Sequence, residues 1–188
     1  MTLHQVAYTI YIIWLLSEVL LNRLMRSGAA DKQNEDKNSI RVIWLTIILS
    51  MTAGSYVSAL TECPMGEGKI IEPIGLGIIV LGVILRFAAI RSLGKMFTVD
   101  VTIRQDHALH TSGMYKYVRH PSYAASLLSF IGMGISQNNW LSMPIMIFPV
   151  LFSFIYRMNV EEKALIQAFG DEYKAYMKRS WRFLRWVY

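Results

Sequence analysis

The sequence predicts an all-α, polytopic integral membrane protein with about five transmembrane helices. Hydrophobic residues make up 54% of the 188 residues, above the roughly 45–50% typical of soluble domains, and the mean hydropathy is +0.34. The excess is concentrated in long blocks, and a helix that crosses a membrane needs about 20 mostly apolar residues. We expect a single membrane-embedded domain over residues 1–188, with three spans in residues 1–90 and the other elements in residues 91–188.

Five apolar blocks occupy residues 6–24, 42–60, 71–90, 123–135 and 140–156. Glu18 interrupts the first block, Pro73 is expected to open the third, and Arg86 lies near the far end of the third. The fourth block is short enough to be re-entrant instead of spanning. A polar cluster at 136–139 separates it from the fifth block, so the two are expected to form a tight helical hairpin.

Basic residues alternate between successive connections, which predicts the orientation in the membrane. The connection after the first block, the loop at 91–122 and the C-terminal tail are rich in Lys and Arg. The connection at 61–70 contains Lys69 as its only basic residue, and the hairpin turn contains no Lys or Arg. By the positive-inside rule the N-terminus lies outside, and the long loop and the tail lie in the cytoplasm. Because this arrangement explains the formal charge of +6, we expect a lipid membrane and no nucleic acid as partner.

Several other classes of site are not expected. Cys63 is the single cysteine, so an intramolecular disulfide is impossible. His107 and His110 are three apart, but no third ligand supports a metal site. The glycines at 75–82 lie in an apolar block with no preceding strand, which favours close helix packing over a dinucleotide-binding loop. Residues 1–5 lack the basic segment of a cleavable signal peptide.

The first candidate site segment is Arg119-His120-Pro121-Ser122-Tyr123, at the predicted start of the fourth helix. Proline suits a first helical turn, where its missing N–H would have no partner, so a basic flank with a proline start is one interpretation. The other is a binding site, because a helix amino terminus offers free N–H donors and a partial positive charge. Ionisable groups at bilayer depth are costly and usually mark a site.

The second candidate segment contains Arg157, Glu161 and Glu162. Arg157 and Glu161 are four apart and share a helix face, either as an ion pair or facing a pocket where Arg binds an anion and Glu binds a cation or hydroxyls. Glu162 points about 100° away and is the weaker candidate. The tail that follows, residues 160–178, has roughly helical apolar spacing, with an interruption expected at Gly170.

Together, three sequence blocks resemble the isoprenylcysteine carboxyl methyltransferase family. They are residues 107–115 (His-Ala-Leu-His-Thr-Ser-Gly-Met-Tyr), 117–123 (Tyr-Val-Arg-His-Pro-Ser-Tyr) and 157–176. The blocks cover about the C-terminal half, and the sequence departs from the family's more common residues at Ala108 and His110. Eukaryotic members have longer N-terminal regions with more spans, so the resemblance leaves the physiological acceptor open.

The resemblance implies an S-adenosylmethionine-dependent carboxyl O-methyltransferase with a cytoplasmic-face cofactor pocket built by the C-terminal half. S-adenosylmethionine is the implied cofactor, and a prenylated cysteine or similar hydrophobic thioether acid, entering from the bilayer, is the implied acceptor. The implied cofactor-binding residues are His107, Ala108, Leu109, His110, Tyr115, His120, Pro121, Ser122, Tyr123 and Glu161. Arg157 is implied as the catalytic and substrate-binding residue that holds the acceptor carboxylate.

The implied chemistry agrees with these residue types. A carboxylate is already ionised at neutral pH, so methyl transfer to it needs positioning and no general base. The planar fork of arginine matches a carboxylate. Three alternatives stay open. A phospholipid N-methyltransferase acts on an amine, which an Arg that binds an anion does not suit. A membrane NADPH-dependent reductase can carry similar C-terminal motifs. A non-enzymatic membrane adaptor would leave the Arg and Glu unexplained.

Overall fold

The computed structural model describes residues 2–24, 37–94 and 109–183, and within them the chain is helical. Its α-helices are α1 (Leu3–Leu24), α2 (Lys37–Leu60), α3 (Gly68–Leu93), α4 (Pro121–Ser136) and α5 (Ser142–Arg179). A short 3-10 helix, Gly113–Lys116, precedes α4. The described residues form no strand, and their β pairing is limited to an isolated bridge between Val118 and Trp181. The predicted all-α fold class is confirmed.

Four of the described helices, α1, α2, α3 and α5, are long and apolar enough to cross a membrane. α4 has 16 residues, which at 1.5 Å per residue is about 24 Å, short of the roughly 30 Å hydrocarbon core of a bilayer. Most residues of α4 are buried, and it packs against α3 and α5. Large apolar side chains are exposed on the outer faces of α1 and α2, including Tyr8, Ile12, Leu16, Leu20, Leu45, Ile48 and Leu49. The chain is an integral, multi-pass membrane protein.

α3 and α4 pack closely because glycines line their contact. A Cβ on Gly75 would lie 2.3 Å from the Ser136 backbone nitrogen, and one on Gly82 would lie 2.3 Å from the Ser129 Oγ. A Cβ on Gly132 of α4 would likewise lie 2.7 Å from the Gly75 carbonyl oxygen. These positions leave no room for a side chain, so the predicted role of small residues in close helix packing is confirmed.

Asparagine side chains fix the turn between α4 and α5. The Asn139 Oδ1 accepts hydrogen bonds from the Leu141 and Ser142 amides at 2.9 and 3.0 Å. The Asn139 Nδ2 donates to the Thr61 carbonyl at 2.9 Å. Asn138 adopts φ 49°, a left-handed conformation that asparagine tolerates. The predicted tight helical hairpin is confirmed, and it brings the start of α4 and the polar half of α5 to the opposite end of the bundle.

Two features of the helices refine the prediction. α3 begins at Gly68, so Pro73 lies inside it and does not open it. Pro73 cannot donate a hydrogen bond to the Lys69 carbonyl in the preceding turn, which lies near the start of the helix. The fifth span and the tail form one long helix, α5, which kinks at Gly170, where φ is 52° and ψ is −123°. The predicted interruption at Gly170 is confirmed.

An apolar core lies between α1, α3, α4 and α5 and supports the start of α4. Trp14 packs edge-on against Phe130, with ring centroids 4.9 Å apart, and Phe130 packs against Phe154 at 6.3 Å. Met146 is fully buried in the same cluster. The Tyr123 ring packs on Phe154 at 5.4 Å, so the first turn of α4 rests directly on this core.

Candidate functional site

The segment before α4 is paired with the chain that follows α5. The Arg119 amide donates to the Trp181 carbonyl at 2.8 Å, and the Trp181 amide donates to the Tyr117 carbonyl at 2.8 Å. The His120 amide donates to the Arg182 carbonyl at 3.2 Å. These bonds tie the first candidate segment to the end of the second, so the two motifs meet at one end of the bundle.

Glu162 is the centre of a buried polar cluster. Its Oε1 accepts a hydrogen bond from the Arg119 Nε at 2.9 Å and lies 3.2 Å from the His120 Nε2. Its Oε2 forms an ion pair with the Arg182 Nε at 3.0 Å, and the Glu162 side chain is only 9% exposed. Both carboxylate oxygens are thus taken by protein cations. Sequence reasoning made Glu162 only the weaker candidate, because helical phase compares it only with neighbours on its own helix.

Glu162 lies in α5 beyond the apolar block at 140–156, and it contacts Arg182 in the segment that follows the helix. Burial disfavours its charged form, but the hydrogen bonds and charges of His120 and Arg119 outweigh burial. The pKa of Glu162 therefore lies below its ordinary value. The carboxylate is ionised at neutral pH and acts as the counter-ion that holds the cluster together.

Glu161, the neighbouring carboxylate, is placed differently. Its Oε2 accepts a hydrogen bond from the Tyr123 hydroxyl at 3.1 Å and lies 3.7 Å from the His120 Nδ1. Its side chain is 33% exposed, and its Oε1 has no hydrogen-bond partner within the described residues. The buried His120 ring thus lies between Glu161 and Glu162. Glu162 is thus saturated by protein groups, whereas Glu161 keeps one oxygen without a partner among the described residues.

Arg157 lies on the apolar side of this arrangement. Its side chain is 2% exposed, and its Nη1 donates a hydrogen bond to the Ser39 Oγ at the start of α2. The Arg157 guanidinium also interacts with the Tyr123 hydroxyl, the same hydroxyl that contacts Glu161. Arg157 and Glu161 therefore meet at one tyrosine, in agreement with the shared helix face that their spacing predicts.

The 3-10 helix before α4 supplies a third side of the site. The His110 ring packs edge-on against the Tyr115 ring, with centroids 5.5 Å apart, and the Tyr176 hydroxyl donates to the Tyr115 carbonyl. Burial, followed by the Glu161 charge, raises the pKa of the Tyr115 hydroxyl. Leu109 is half-buried beside this segment, whereas His107 and Ala108 lie outside the described residues.

Pro121 and Ser122 form the first turn of α4. His120 is the N-cap residue and Pro121 is the first helical residue, as predicted for a proline start. The Arg86 Nη1 of α3 donates to both the Ser122 carbonyl and the Ser122 Oγ at 3.2 Å. Arg86 in turn pairs with Glu18 of α1 at 2.8 Å. Sequence reasoning assigned no role to this ion pair, although both residues are charges within apolar blocks.

An open pocket of about 550 Å³ lies on the Glu162 side of the cluster. Its lining residues are Arg119, Glu162, Met177, Lys178, Arg179, Ser180, Trp181 and Arg182. None of the predicted cofactor-binding residues in the described ranges lines it; two of them, Tyr123 and His120, contact Glu161 instead. Within the described residues, no group of three or more His, Cys, Asp and Glu side chains could hold a metal ion.

Residues 75–167 match the model of the isoprenylcysteine carboxyl methyltransferase (ICMT) family. The predicted family resemblance is confirmed. The matched range contains α4, most of α3 and both candidate segments, which the fold brings together at one end of the bundle.

Curated relatives agree with this match. The chain is 35% identical over 106 residues to the Schizosaccharomyces pombe protein-S-isoprenylcysteine O-methyltransferase, covering 55% of this chain and 45% of that protein. It is 38% identical over 111 residues to an Arabidopsis thaliana protein-S-isoprenylcysteine O-methyltransferase B, covering 58% of this chain and 56% of that protein. The chain thus spans about half the length of the curated relatives it matches.

The structure is similar to that of the eukaryotic intramembrane Ras methyltransferase ICMT, with a TM-score of 0.68. The superposition covers 98% of this chain and 67% of the other, at 22% sequence identity. The likeness of fold therefore extends to α1 and α2, which lie outside the range matched by the family model.

Proposed function

We propose that the chain is an S-adenosylmethionine-dependent carboxyl O-methyltransferase that acts at the membrane surface. The acceptor would be the carboxylate of a prenylated cysteine or a similar hydrophobic thioether acid. The observation that carries the proposal is the contact of Tyr123 with both Arg157 and Glu161 at the end of apolar helices. The names of the matched relatives support the same reaction.

The residues on the Glu161 side fit S-adenosylmethionine. That molecule carries an amine, a sulfonium and ribose hydroxyls, which an ionised carboxylate and aromatic rings are suited to bind. The partly exposed Glu161 has a carboxylate oxygen without a partner in the described residues, and the aromatic ring of Tyr123 lies beside that carboxylate. When bound, the cofactor would supply an electrophilic methyl group.

Several residues would hold it. Within the described residues, Leu109, His110, Tyr115, His120, Pro121, Ser122, Tyr123 and Glu161 are the proposed cofactor contacts. His107 and Ala108 stay part of the proposal from sequence alone. The backbone N–H groups in the first turn of α4 can bind an anionic group such as a carboxylate.

Arg157 would hold the acceptor carboxylate. An arginine that is nearly inaccessible to water gives a strong, well-directed contact to a carboxylate. The acceptor is already ionised, so no residue has to remove a proton from it. His120 lies between Glu161 and Glu162 and would orient the donor side of the site. The rate would then depend on holding the two reacting atoms in line.

The orientation in the membrane belongs to the same proposal. The basic connections place the N-terminus outside and the site and C-terminus in the cytoplasm. A polar cofactor would enter from water, and the apolar acceptor would enter from the bilayer.

A phospholipid N-methyltransferase is less well supported, because an amine acceptor would meet the buried cation of Arg157.

Calorimetric binding of S-adenosylhomocysteine and NADPH to the full chain in lipid nanodiscs tests the class of reaction. The proposal expects binding of S-adenosylhomocysteine and none of NADPH, followed by methyl transfer to a prenylcysteine analogue. The methyl ester of that analogue keeps the lipid and removes the anion, so it is expected to compete poorly. Binding of NADPH alone, or equal competition by acid and ester, would overturn the proposal.

A further inference from the structure

An ion pair between α1 and α3 lies within the apolar bundle, close to the start of α4. The Glu18 Oε1 and the Arg86 Nε are 2.8 Å apart, and the two side chains are 16% and 17% exposed. The pair is a charge contact more than a well-directed hydrogen bond, because the Arg86 Nε–H does not point at the carboxylate. The Nη1 of the same guanidinium points to the first turn of α4.

The other end of Arg86 is bound to the first turn of α4. Its Nη1 donates to the Ser122 carbonyl and to the Ser122 Oγ, each at 3.2 Å. The neighbouring residue is Tyr123, whose hydroxyl contacts Glu161. A line of polar contacts therefore leads from α1, through Glu18, Arg86 and Ser122, to the proposed S-adenosylmethionine site.

The two charges are costly where they lie. Ionisable residues in membrane-spanning helices usually serve a site, and an unpaired one would be strongly unfavourable. If the pair only joined α1 to α3, apolar side chains of similar volume would do so at least as well. The Ser122 contacts give the arginine a role that an apolar residue cannot take, because they need a donor with more than one N–H.

We propose that Glu18 and Arg86 form a positioning pair for the proposed S-adenosylmethionine site. Glu18 holds the Arg86 guanidinium, and Arg86 holds the first turn of α4 so that Tyr123 meets Glu161. The inference rests on the proposed function and extends it to α1, which lies outside the residues matched by the family model. Neither residue touches the reacting groups, so both act through Ser122.

The chain offers a matched control at the other end of the same two helices. The His4 Nδ1 of α1 lies 3.6 Å from the Glu72 Oε1 of α3, and the His4 side chain is 82% exposed. α1 is also docked by the Tyr11 hydroxyl, 2.6 Å from the Ser136 Oγ, and by the Trp14–Phe130 contact. Losing one polar tie should therefore leave α1 in place.

The test compares the affinity for S-adenosylhomocysteine with thermal stability, using the full chain in nanodiscs. The double variant Glu18→Arg with Arg86→Glu restores an ion pair but places a carboxylate, which cannot donate, beside Ser122. We expect its Tm to lie near that of the wild type, and its Kd to be roughly tenfold higher, the factor for one hydrogen bond to a charged group. Glu72→Gln should leave the Kd within about twofold, since it removes a tie at the far end.

A second variant protects the test against misfolding of the double variant. Arg86→Lys keeps one positive charge, but a single ammonium cannot serve Glu18 and Ser122 in the same geometry. Its Tm should be almost unchanged and its Kd several-fold higher. Wild-type affinity in either variant would show that the pair is only structural and would overturn the inference. A wild-type chain that bound no S-adenosylhomocysteine would instead overturn the proposed function, and the inference with it.

Discussion

The Tyr123 hydroxyl donates a 3.1 Å hydrogen bond to the Glu161 carboxylate and also interacts with the Arg157 guanidinium. One phenol thus joins the carboxylate proposed for the donor to the arginine proposed for the acceptor. Donor and acceptor must meet at their reacting atoms, so a shared neighbour of the two binding groups is expected in a methyltransferase.

Glu161→Gln is expected to weaken S-adenosylhomocysteine binding far more than Glu162→Gln. Glu161 keeps an oxygen for a ligand, whereas both oxygens of Glu162 are bound to protein groups. The loss for Glu161→Gln should be about tenfold in Kd, the size of one charge-assisted hydrogen bond. Titration calorimetry on folded protein in nanodiscs measures it. Equal losses for the two variants would show that the wrong carboxylate has been assigned to the pocket.

Glu162→Gln is expected to act on stability instead. It would leave the buried charges of Arg119 and Arg182 without their counter-ion, which typically costs about 3 kcal/mol for a buried pair. Thermal unfolding in the same nanodiscs should show a clearly lower Tm for this variant than for Glu161→Gln. A Tm equal to that of the wild type would mean that the cluster does not hold the two motifs together.

The contribution of Glu162 should depend on pH in a defined direction. Its pKa in the folded protein lies below the ordinary value of 4.5, so its stabilising effect is complete above that value. The effect is lost as the pH falls through the lower pKa of the folded state. The Tm difference between the wild type and Glu162→Gln should therefore shrink as the pH falls below about 4. A difference that stays constant at acidic pH would contradict the assignment.

Glycines of α3 provide a matched test of the helix packing. Gly75→Ala and Gly82→Ala would each place a Cβ 2.3 Å from atoms of α4, and such overpacking typically costs about 1–3 kcal/mol. A Cβ added at Gly77 of the same helix would meet nothing within 4 Å, so Gly77→Ala should be neutral or slightly stabilising. Thermal unfolding of the three variants checks this. Similar Tm values for all three would contradict close α3–α4 packing.

The sequence predicted the helical architecture well because the bilayer imposes the length of an apolar helix. All five apolar blocks are helices, and the Ser-Gln-Asn-Asn cluster forms the hairpin turn. The same length argument left the fourth block uncertain, and α4 is indeed a short, mostly buried helix. The motifs also placed Arg157 and Glu161 correctly on one face, because a spacing of four residues fixes their helical phase.

The sequence could not predict the contacts that join distant segments. Glu162 is bound by Arg119 and Arg182, which lie on chain segments that no helical periodicity relates to α5. Arg157 binds Ser39, which is 118 residues away. The Glu18–Arg86 pair did leave a signal, because each is a charge inside an apolar block, but only the fold shows that the two blocks are adjacent.

Membrane orientation gives an independent prediction. The alternation of basic connections predicts that the N-terminus lies outside and the C-terminus in the cytoplasm. A tag before Met1 should be accessible only from the non-cytoplasmic side, and a tag after Tyr188 only from the cytoplasmic side, in protease protection of sealed vesicles. Both tags on one side would require an even number of crossings, and the short α4 would then be the helix that does not cross the membrane.

The effect of Arg157→Lys on cofactor binding and on turnover, measured on the same preparation, tests directly whether Arg157 holds the acceptor carboxylate. Lysine keeps the positive charge but loses the planar fork that matches a carboxylate. We expect the Kd for S-adenosylhomocysteine to stay nearly unchanged, while methyl transfer to a prenylcysteine analogue falls by about 10²–10³, as for removal of one positioning donor elsewhere. A parallel loss of cofactor affinity, or turnover equal to that of the wild type, would contradict the claim that Arg157 holds the acceptor carboxylate.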